Sequence, residues 1–428
     1  MKANGLRGWC RKNSSLRGFC KLAVFSFACG WPLVSCAGVN GLIIFGAGLL
    51  TVVLTFACNW LALIPWRRSL GKHWTERARL YHPVHAAAAV NFWAIPALLA
   101  LTVLIFSADN VLLALFVALA SAVGAVIGAF PMSREVCPRI PLKDLLRESA
   151  RGFLFRFLFW LVMVGAVVLM PEDFNLMTLA IGVLAVALIL CWTYGGFIRV
   201  WCLTGWLQPA PERLQTIVNA TSARMGVPVR NTWLMRSHAA QAYAIPATRE
   251  LMFAQRLLDI MPDDEVAAVC AHELGHLTEP RSALLRRSLA FLMFVPWLFM
   301  KPLLHWLGPL AFYVALFSTI LVPRFTRKFS RKMEARADEM AKATENESGI
   351  YARALARLYE DRMVPAVMSK SKQTHPDLYE RLLAAGVTPD YPRPQPSNSL
   401  AWHGKLVAGA VGLALAVYIG KYYANITR

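Results

Sequence analysis

The sequence predicts a multi-span α-helical membrane protein that carries a mostly helical α+β domain with a small sheet. Of its 428 residues, 57% are hydrophobic, which exceeds the roughly half that soluble domains contain. The excess forms long blocks, and most approach the ~20 apolar residues that a helix needs to cross a bilayer. Two polar regions, about 203–287 and 324–403, interrupt these blocks and leave room for a folded domain.

The apolar blocks predict the membrane spans in chain order. Segment 22–37 is short and contains Trp31-Pro32, and segment 288–306 is interrupted by Lys301-Pro302, so these two are the least regular. The candidate spans are 22–37, 41–65, 88–107, 110–130, 153–170, 176–202, 288–306, 308–323 and 404–420.

The spans and polar regions together predict five parts of the chain. These are an N-terminal membrane region (1–202), the first part of the polar domain (203–287), a membrane hairpin (288–323), the second part of the domain (324–395), and a linker with a final span (396–428).

The charge distribution predicts the orientation in the membrane. The chain carries 45 Lys and Arg against 25 Asp and Glu, a net charge of +20. Basic stretches alternate with short turns such as Pro171-Glu172-Asp173, and basic loops face the cytoplasm. We therefore expect a cytoplasmic N-terminus and cytoplasmic polar regions. The expected partner of the basic loops is the lipid bilayer and not nucleic acid, because no basic run interleaves with aromatics in a soluble segment.

The cysteines bear on both processing and metal binding. Leu33-Val34-Ser35-Cys36 follows a basic N-terminus and an apolar run, so a lipoprotein signal with lipidation at Cys36 is an alternative to an uncleaved first span. The nine cysteines include no C-x-x-C pair, which argues against a thiolate metal site. Any metal must then be bound by histidine and carboxylate side chains.

Local patterns predict the elements of the polar domain. Glu212 to Met225 has helical periodicity, and Asn231 to Met235 and Glu250 to Gln255 are typical of short strands. Pro262-Asp263-Asp264-Glu265 then predicts the start of a helix, because proline fits a first turn and acids meet the positive helix end. Further helices are predicted at Arg331 to Thr344 and at Ile350 to Met363.

The helix that begins at Pro262 contains a candidate metal site. His272 and His276 are four residues apart, so both imidazoles project from one helical face. Glu273 lies beside the first and can reach a metal-bound water, as in the His-Glu-x-x-His pattern of zinc peptidases. The alternative is a polar helix whose histidines pair with neighbouring carboxylates.

Two downstream motifs offer the remaining groups. Glu334 and Asp338 also share a helical face, so Glu334 can be a third ligand and Asp338 can accept a proton from a ligating histidine. His375 and Arg381, six residues apart, could polarise a scissile carbonyl. Taken alone, the first motif also fits a solvated charged helix, and the second also fits an ordinary helix start.

In order and spacing, these motifs resemble the integral-membrane zinc peptidases that include the heat-shock membrane protease HtpX and the CAAX prenyl proteases. The resemblance covers roughly 210–385. It implies a gluzincin-type domain with one Zn²⁺ per chain, ligands at His272, His276 and Glu334, and Glu273 as the base. It also implies that His375 and Arg381 contact the substrate carbonyl.

The same resemblance implies an edge strand that pairs with the substrate. The family has Asn-Ala-Phe or Asn-Ala-Tyr before that strand, whereas this chain has Gln241-Ala242-Tyr243-Ala244. The longer arm of Gln241 is expected to change how substrate is positioned.

From the sequence we expect a zinc endopeptidase that cleaves membrane or membrane-proximal proteins, in quality control at a bacterial inner membrane. One alternative is a protease that processes a specific CAAX-like substrate. Another is a non-catalytic scaffold or transporter with a vestigial metal site. The occupied catalytic positions argue against it, and the nearly charge-free spans argue against transport.

Overall fold

The structure, a computed structural model, describes residues 14–106, 110–138, 140–280, 282, 283, 285, 289–368 and 377–426. The chain divides into two compact units, Met1–Ala150 with Gln395–Arg428, and Arg151–Pro394.

The described residues form helices over most of their length. The α-helices are α1 (Ser14–Ala62, kinked at Gly38), α2 (Ile64–Arg67), α3 (Trp74–Phe106), α4 (Val111–Val136), α5 (Leu142–Leu169), α6 (Leu176–Cys191), α7 (Phe197–Leu203), α8 (Glu212–Met225), α9 (Gln255–Ile260), α10 (Asp263–Leu277), α11 (Val295–Leu298), α12 (Met300–Leu307), α13 (Leu310–Thr344), α14 (Ile350–Asp361), α15 (Leu378–Ala384) and α16 (Trp402–Ile426). The strands are β1 (Leu207–Pro209), β2 (Asn231–Met235), β3 (Ala242–Ile245) and β4 (Glu250–Ala254).

The predicted fold class, a multi-span helical protein with a small sheet, is confirmed. Within the described ranges, four helices are long and apolar enough to cross a membrane, and two shorter apolar segments accompany them. The long ones are Gly38–Ala62, Trp74–Phe106, Val111–Val136 and Leu176–Leu203, and the shorter ones are Leu310–Val322 and Trp402–Tyr418.

The first unit contains a close contact between α1 and α4. A Cβ atom added to Gly124 would lie 2.5 Å from the Gly48 carbonyl oxygen, and one added to Gly128 would lie 2.6 Å from that of Val52. Only glycine fits at these two positions, so the four-residue spacing lets the two backbones pack directly together.

The segment before α13 differs from one span-length helix. Its described residues form a 3₁₀ turn (Ala290–Phe294) followed by α11 and α12, with Gly308 at φ +55 before α13 begins. Pro296 and Pro302 contribute to this, because a proline has no N–H to donate inside a helix.

The second unit is built around a four-stranded sheet in the order β1-β2-β4-β3. Strands β2 and β4 are parallel, and the other pairs are antiparallel, so β3 lies at an edge. The core joins the sheet to α8, α10 and α14 through fully buried side chains, among them Leu214, Phe253 and Leu274. The predicted helix at Glu212–Met225 and the predicted strand at Asn231–Met235 are both confirmed, and Gly226 ends the helix at φ +65.

Helix α13 joins an apolar segment to a polar one. Its last part is the helix predicted at Arg331–Thr344, and its first part is the apolar segment Leu310–Val322. The polar part packs on α10 at Gly275, where an added Cβ would lie 3.0 Å from the Ala337 Cα. This close approach places Glu334 and Asp338 beside the histidine helix.

Candidate metal centre

Helix α10 presents both predicted histidine ligands on one face. The helix begins after Pro262 with three acids in its first turn, as predicted, and it continues to Leu277. The Nε2 atoms of His272 and His276 lie 3.3 Å apart. His272 and Glu273 are each only 9% exposed, so the site lies inside the protein.

Glu334 of α13 completes the group. Its Oε2 lies 3.6 Å from His272 Nε2 and 3.7 Å from His276 Nε2. One ligand atom from each of the three side chains falls within 4.8 Å of the others, which is close enough to hold one metal ion. Two imidazoles and one carboxylate are a donor set that fits a catalytic metal with an open position for water.

The other ring nitrogen of each histidine is held by a carboxylate. Asp338 Oδ1 lies 3.0 Å from His272 Nδ1, and Glu279 Oε1 lies 2.7 Å from His276 Nδ1. A carboxylate at Nδ1 favours the tautomer with the proton there, and this leaves the Nε2 lone pair for a metal. The environment of both imidazoles therefore fits metal binding.

Tyr351 and Arg381 hold Asp338 in place. The Tyr351 hydroxyl donates to Asp338 Oδ1 at 2.5 Å and lies 2.9 Å from His272 Nδ1. Arg381 donates from Nε to Asp338 Oδ2 at 2.8 Å, and from Nη2 to Asp338 Oδ1 at 2.6 Å and to the Tyr351 oxygen at 2.9 Å. Arg381 is buried, at 8% exposed, and Asp338 is partly buried, so the bidentate pair defines the orientation of Asp338.

These contacts shift the pKa values of the site in the absence of metal. Burial lowers the pKa of His276, but the carboxylates of Glu279 and Glu334 outweigh it and raise the value to about 10. The pKa of His272 is likewise lowered by burial and raised overall by Asp338 and Glu334. Burial raises the pKa of the Asp338 carboxyl, but His272 and Arg381 outweigh this effect and lower the pKa to about 2. A metal must therefore displace protons from the imidazoles.

His272, His276 and Glu334, the candidate metal-binding group, lie in a cleft of about 520 Å³ that is also lined by β3. The lining residues are Ala240, Gln241, Ala242, Tyr243, Ala244, Val269, His272, Glu273, His276, Glu334, Tyr351, Leu355, Leu358, Tyr359, Arg362, Val364 and Arg381. Both predicted substrate-strand residues are in this set, and the Tyr243 hydroxyl donates to Gln241 Oε1 at 2.8 Å.

Strand β3 turns alternate backbone groups toward its open edge. The Gln241 carbonyl accepts from the Ala254 N–H at 2.8 Å, and the register pairs Tyr243 with Met252. In an antiparallel ladder, residues of one parity bond the partner strand and the others point away from it. The N–H and C=O groups of Ala242 and Ala244 therefore face the open edge.

The structure brings together most of the predicted site residues. His272, Glu273, His276, Glu334 and Arg381 line the cleft, and Asp338 lies behind His272. His375 and Pro376 lie outside the described residues.

Two side chains of the site were not found from the sequence. Glu279 lies three residues after His276, and that helical spacing could have indicated it. Tyr351 lies 79 residues from His272 in a helix with no distinguishing motif. Arg357 of the same helix bonds Glu265 of α10 at 2.8 Å, and this tertiary pairing holds α14 where Tyr351 reaches the site.

The fold and the metal-binding group define a membrane-associated metallopeptidase. Residues 209–386 match the family model of peptidase family M48, so this part of the chain is an M48 peptidase domain. The resemblance to HtpX and the CAAX prenyl proteases is thereby confirmed, since both are in that family. A comparison with curated proteins gives no match.

Proposed function

We propose that the protein is a zinc-dependent endopeptidase that hydrolyses peptide bonds in membrane or membrane-proximal proteins. The observation that carries the proposal is the placement of His272, His276 and Glu334 within 4.8 Å of one another, in a cleft that also contains an open strand edge. An M48 domain with these donors accounts for a peptidase, and the edge strand accounts for a polypeptide substrate.

His272, His276 and Glu334 would hold one Zn²⁺ per chain. When bound, the zinc would supply Lewis-acid polarisation to an attacking water and to the scissile carbonyl. The ion is assigned as zinc because the donors are nitrogen and carboxylate oxygen in a three-ligand set. Asp338 and Glu279 would fix both imidazole rings, and Arg381 and Tyr351 would fix Asp338.

Glu273 is assigned as the general base. It lies on the same helical turn as the ligands and lines the cleft, so its carboxylate can accept a proton from the attacking water. The same carboxyl would then give that proton to the leaving amine. A base on a buried helix is held in position without help from substrate.

Arg381, with His375, is assigned to the substrate carbonyl. Arg381 lines the cleft while its Nε and Nη2 atoms are bonded to Asp338 and Tyr351. The remaining Nη1 atom is the one we assign to the developing negative charge on the carbonyl oxygen.

Strand β3 is assigned to substrate binding. An extended peptide alongside β3 would exchange backbone hydrogen bonds with Ala242 and Ala244, and the small methyl side chains leave room for its approach. Backbone recognition tolerates many side chains, so we propose a broad endopeptidase in which Gln241, steadied by Tyr243, adjusts the register.

This breadth favours quality control over processing of one CAAX-like substrate. From the loop charges we propose a bacterial inner membrane with the active site toward the cytoplasm. We further propose that 203–287 and 324–395 form one peptidase domain around the membrane hairpin 288–323. The compact unit Arg151–Pro394 contains 203–287 and 324–394, which supports a single domain formed by the two parts.

The test is a paired measurement of bound zinc and proteolysis on the purified full-length protein. Cleavage of an unfolded protein should stop on chelation and return with zinc. The Glu273→Gln variant should keep full zinc occupancy and lose cleavage by about 10²–10⁴-fold. The matched control is Glu347→Gln, because Glu347 is exposed and outside the cleft. Cleavage that survives both chelation and Glu273→Gln would overturn the proposal in favour of a non-catalytic scaffold.

A further inference from the structure

A second cavity lies in the unit Arg151–Pro394, where the span Leu176–Leu203 ends and the sheet begins. Its volume is about 660 Å³, and it shares no lining residue with the metal-binding cleft. Arg199 and Leu203 line it from α7, Arg230 and Trp233 from the region of β2, and Thr248 and Glu250 from the region of β4. We call it the arginine groove.

A glycine contact builds one wall of the arginine groove. A π-helical turn, Trp192–Gly196, follows α6, and Gly195 within it has φ +119. A Cβ added to Gly195 would lie 2.9 Å from Thr248 Cγ2, so the helix and the β3–β4 turn touch directly there. Short π-helical segments of this kind are frequent at functional sites. The turn lies within the span Leu176–Leu203 and sets the direction of α7, which carries Arg199.

The charges of the groove favour an anion. Arg199 and Arg230 are exposed, and neither forms an ion pair with any residue that the structure describes. Glu250 is buried and already engaged, because its carboxylate accepts from Asn231 Nδ2 at 2.6 Å and from Thr248 Oγ1 at 3.1 Å. The lining therefore presents two guanidinium groups and one carboxylate that is already hydrogen-bonded, so its net charge is positive.

Trp233 adds a donor without an acceptor. Its indole N–H is buried and has no hydrogen-bond partner within the described part of the chain. A buried N–H without a partner is costly, so a rotation of the ring that brings this N–H to an acceptor oxygen of a bound molecule would relieve the cost. Guanidinium groups with an N–H donor form a set that suits phosphate oxygens.

The surroundings of the groove are those of a membrane interface. Leu203 is 88% exposed and Val200 is 42% exposed, on the helix that carries Arg199. Tryptophan rings cluster beside them, with the Trp201 and Trp206 centroids 4.2 Å apart. Tryptophan is enriched at the level of lipid headgroups, and arginine at a helix end extends to that level. The exposed apolar side chains can then contact acyl chains.

We propose that the arginine groove binds the phosphate of one anionic phospholipid, with Arg199, Arg230 and the Trp233 indole on the headgroup and Leu203 and Val200 along the acyl chains. The strong positive charge of the chain, +20, is complementary to an anionic membrane surface. Lipid binding at the arginine groove requires neither metal binding nor proteolysis. A negative result for lipid binding would therefore leave the proposed function unaffected.

The test is a titration of the full-length protein in non-ionic detergent with a fluorescent short-chain phosphatidylglycerol, followed by anisotropy. One lipid should bind per chain. The Arg199→Gln/Arg230→Gln variant should bind about thirtyfold more weakly, because each arginine near an anionic headgroup contributes about a factor of five. The matched control is Arg224→Gln/Arg353→Gln, which removes the same charge from exposed positions outside the groove and should change the affinity less than twofold.

A second variant keeps the proposal testable if the double substitution perturbs folding. Trp233→Phe keeps an aromatic ring but removes the indole N–H, and it should weaken phosphatidylglycerol binding about twofold to tenfold. Zinc content and unfolding temperature serve as the folding readouts for every variant. An unchanged affinity in Trp233→Phe and in a folded Arg199→Gln/Arg230→Gln variant would overturn the proposal.

Two further binding measurements identify the ligand. Phosphatidylcholine should bind at least tenfold more weakly than phosphatidylglycerol, and inorganic phosphate at millimolar concentration should not displace the lipid. Equal binding of phosphatidylcholine, or displacement by inorganic phosphate, would overturn the assignment to an anionic phospholipid. Equal losses in the groove variant and the control variant would also overturn it, because they would indicate only general electrostatic attraction.

Discussion

The metal-binding group and strand β3 form two walls of one cleft, and they are built in different ways. On the helical wall, His272 and His276 are each held by a carboxylate, and Arg381 and Tyr351 hold one of these carboxylates in turn. On the strand wall, Ala242 and Ala244 present backbone groups and methyl side chains, and Tyr243 is 45% exposed. The groups that we propose for the chemistry are held by hydrogen bonds, whereas the wall that we propose for substrate offers backbone groups that any extended chain could use.

This difference predicts how substitutions divide. Changes on the helical wall should alter metal affinity and turnover strongly, because each buried group leaves a charged partner without compensation. Changes on the strand wall should leave the metal in place and alter only how substrate binds.

The largest effect is expected for Glu334→Ala. Loss of a group that only hydrogen-bonds a ligand typically lowers metal affinity 10–100-fold. Glu334→Ala should lower zinc affinity by more than this, because it removes a ligand itself. A zinc titration in competition with a chelating indicator measures this affinity. Glu339→Ala is the control, since Glu339 is exposed on the same helix. Full zinc stoichiometry in Glu334→Ala at low free zinc would remove Glu334 from the ligand set.

The next largest effect is expected for loss of a carboxylate that hydrogen-bonds a histidine ligand. Glu279→Gln replaces the acceptor at His276 Nδ1, and zinc affinity should fall about 10–100-fold. Tyr351→Phe should have a smaller effect in the same direction, because Asp338 still holds His272. The same titration measures both, and an affinity equal to wild type in Glu279→Gln would show that the negative charge at the 2.7 Å contact does not contribute to zinc binding.

The raised histidine pKa values predict that metal affinity depends on pH. His276 has a pKa of about 10 without metal, so below that pH its proton must leave before the ring can bind. Affinity should therefore rise with pH between 6 and 8, about tenfold per unit for each proton displaced. Calorimetric titration in two buffers of different ionisation enthalpy counts the protons. A flat pH profile with no proton release would contradict the shifted values.

The helix contact at Gly275 predicts a smaller but informative loss. Gly275→Ala should improve helix propensity by about 1 kcal/mol, yet the added Cβ would lie 3.0 Å from Ala337 Cα and push α13 away. We expect weaker zinc binding and a lower unfolding temperature. Gly152→Ala in α5 is the control, because an added Cβ there meets nothing within 4 Å. A more stable Gly275→Ala protein with unchanged zinc affinity would show that the contact does not position Glu334.

The smallest effect is expected on the strand wall. Ala244→Pro removes an N–H that faces the open edge, where proline is tolerated in a strand. We expect kcat/KM for an unfolded substrate to fall about twofold to tenfold with zinc content unchanged. Ala244→Ser keeps the N–H and serves as the control. A loss of zinc, or equal losses in both variants, would argue against backbone pairing along β3.

Local patterns were sufficient to predict the elements that carry the ligands. The acids after Pro262 mark the start of α10, and the spacing of His272 and His276 places both on one face without any tertiary information. The strand at Asn231–Met235 and the helix at Glu212–Met225 follow from periodicity and from the break at Gly226. These features depend on neighbours within a few residues, which is why sequence reasoning reaches them.

Features that depend on packing were not predictable. Tyr351 reaches His272 only because α14 packs on α10, and no spacing rule relates residues 79 positions apart. The bidentate bonding of Arg381 to Asp338 likewise follows from tertiary packing, although Arg381 was singled out for contact with substrate. The helix breaks between 289 and 309 follow from prolines and glycine acting together, where hydropathy alone indicates one span.

X-ray absorption at the zinc edge of the fully loaded protein identifies the ligands of the proposed metal centre. We expect a shell of nitrogen and oxygen atoms alone at about 2.0–2.2 Å, with the scattering pattern of two imidazoles. One imidazole should disappear in a metal-loaded His276→Ala protein. A sulfur neighbour at about 2.3 Å, or a wild-type shell with fewer than two imidazoles, would contradict a metal centre formed by His272, His276 and Glu334.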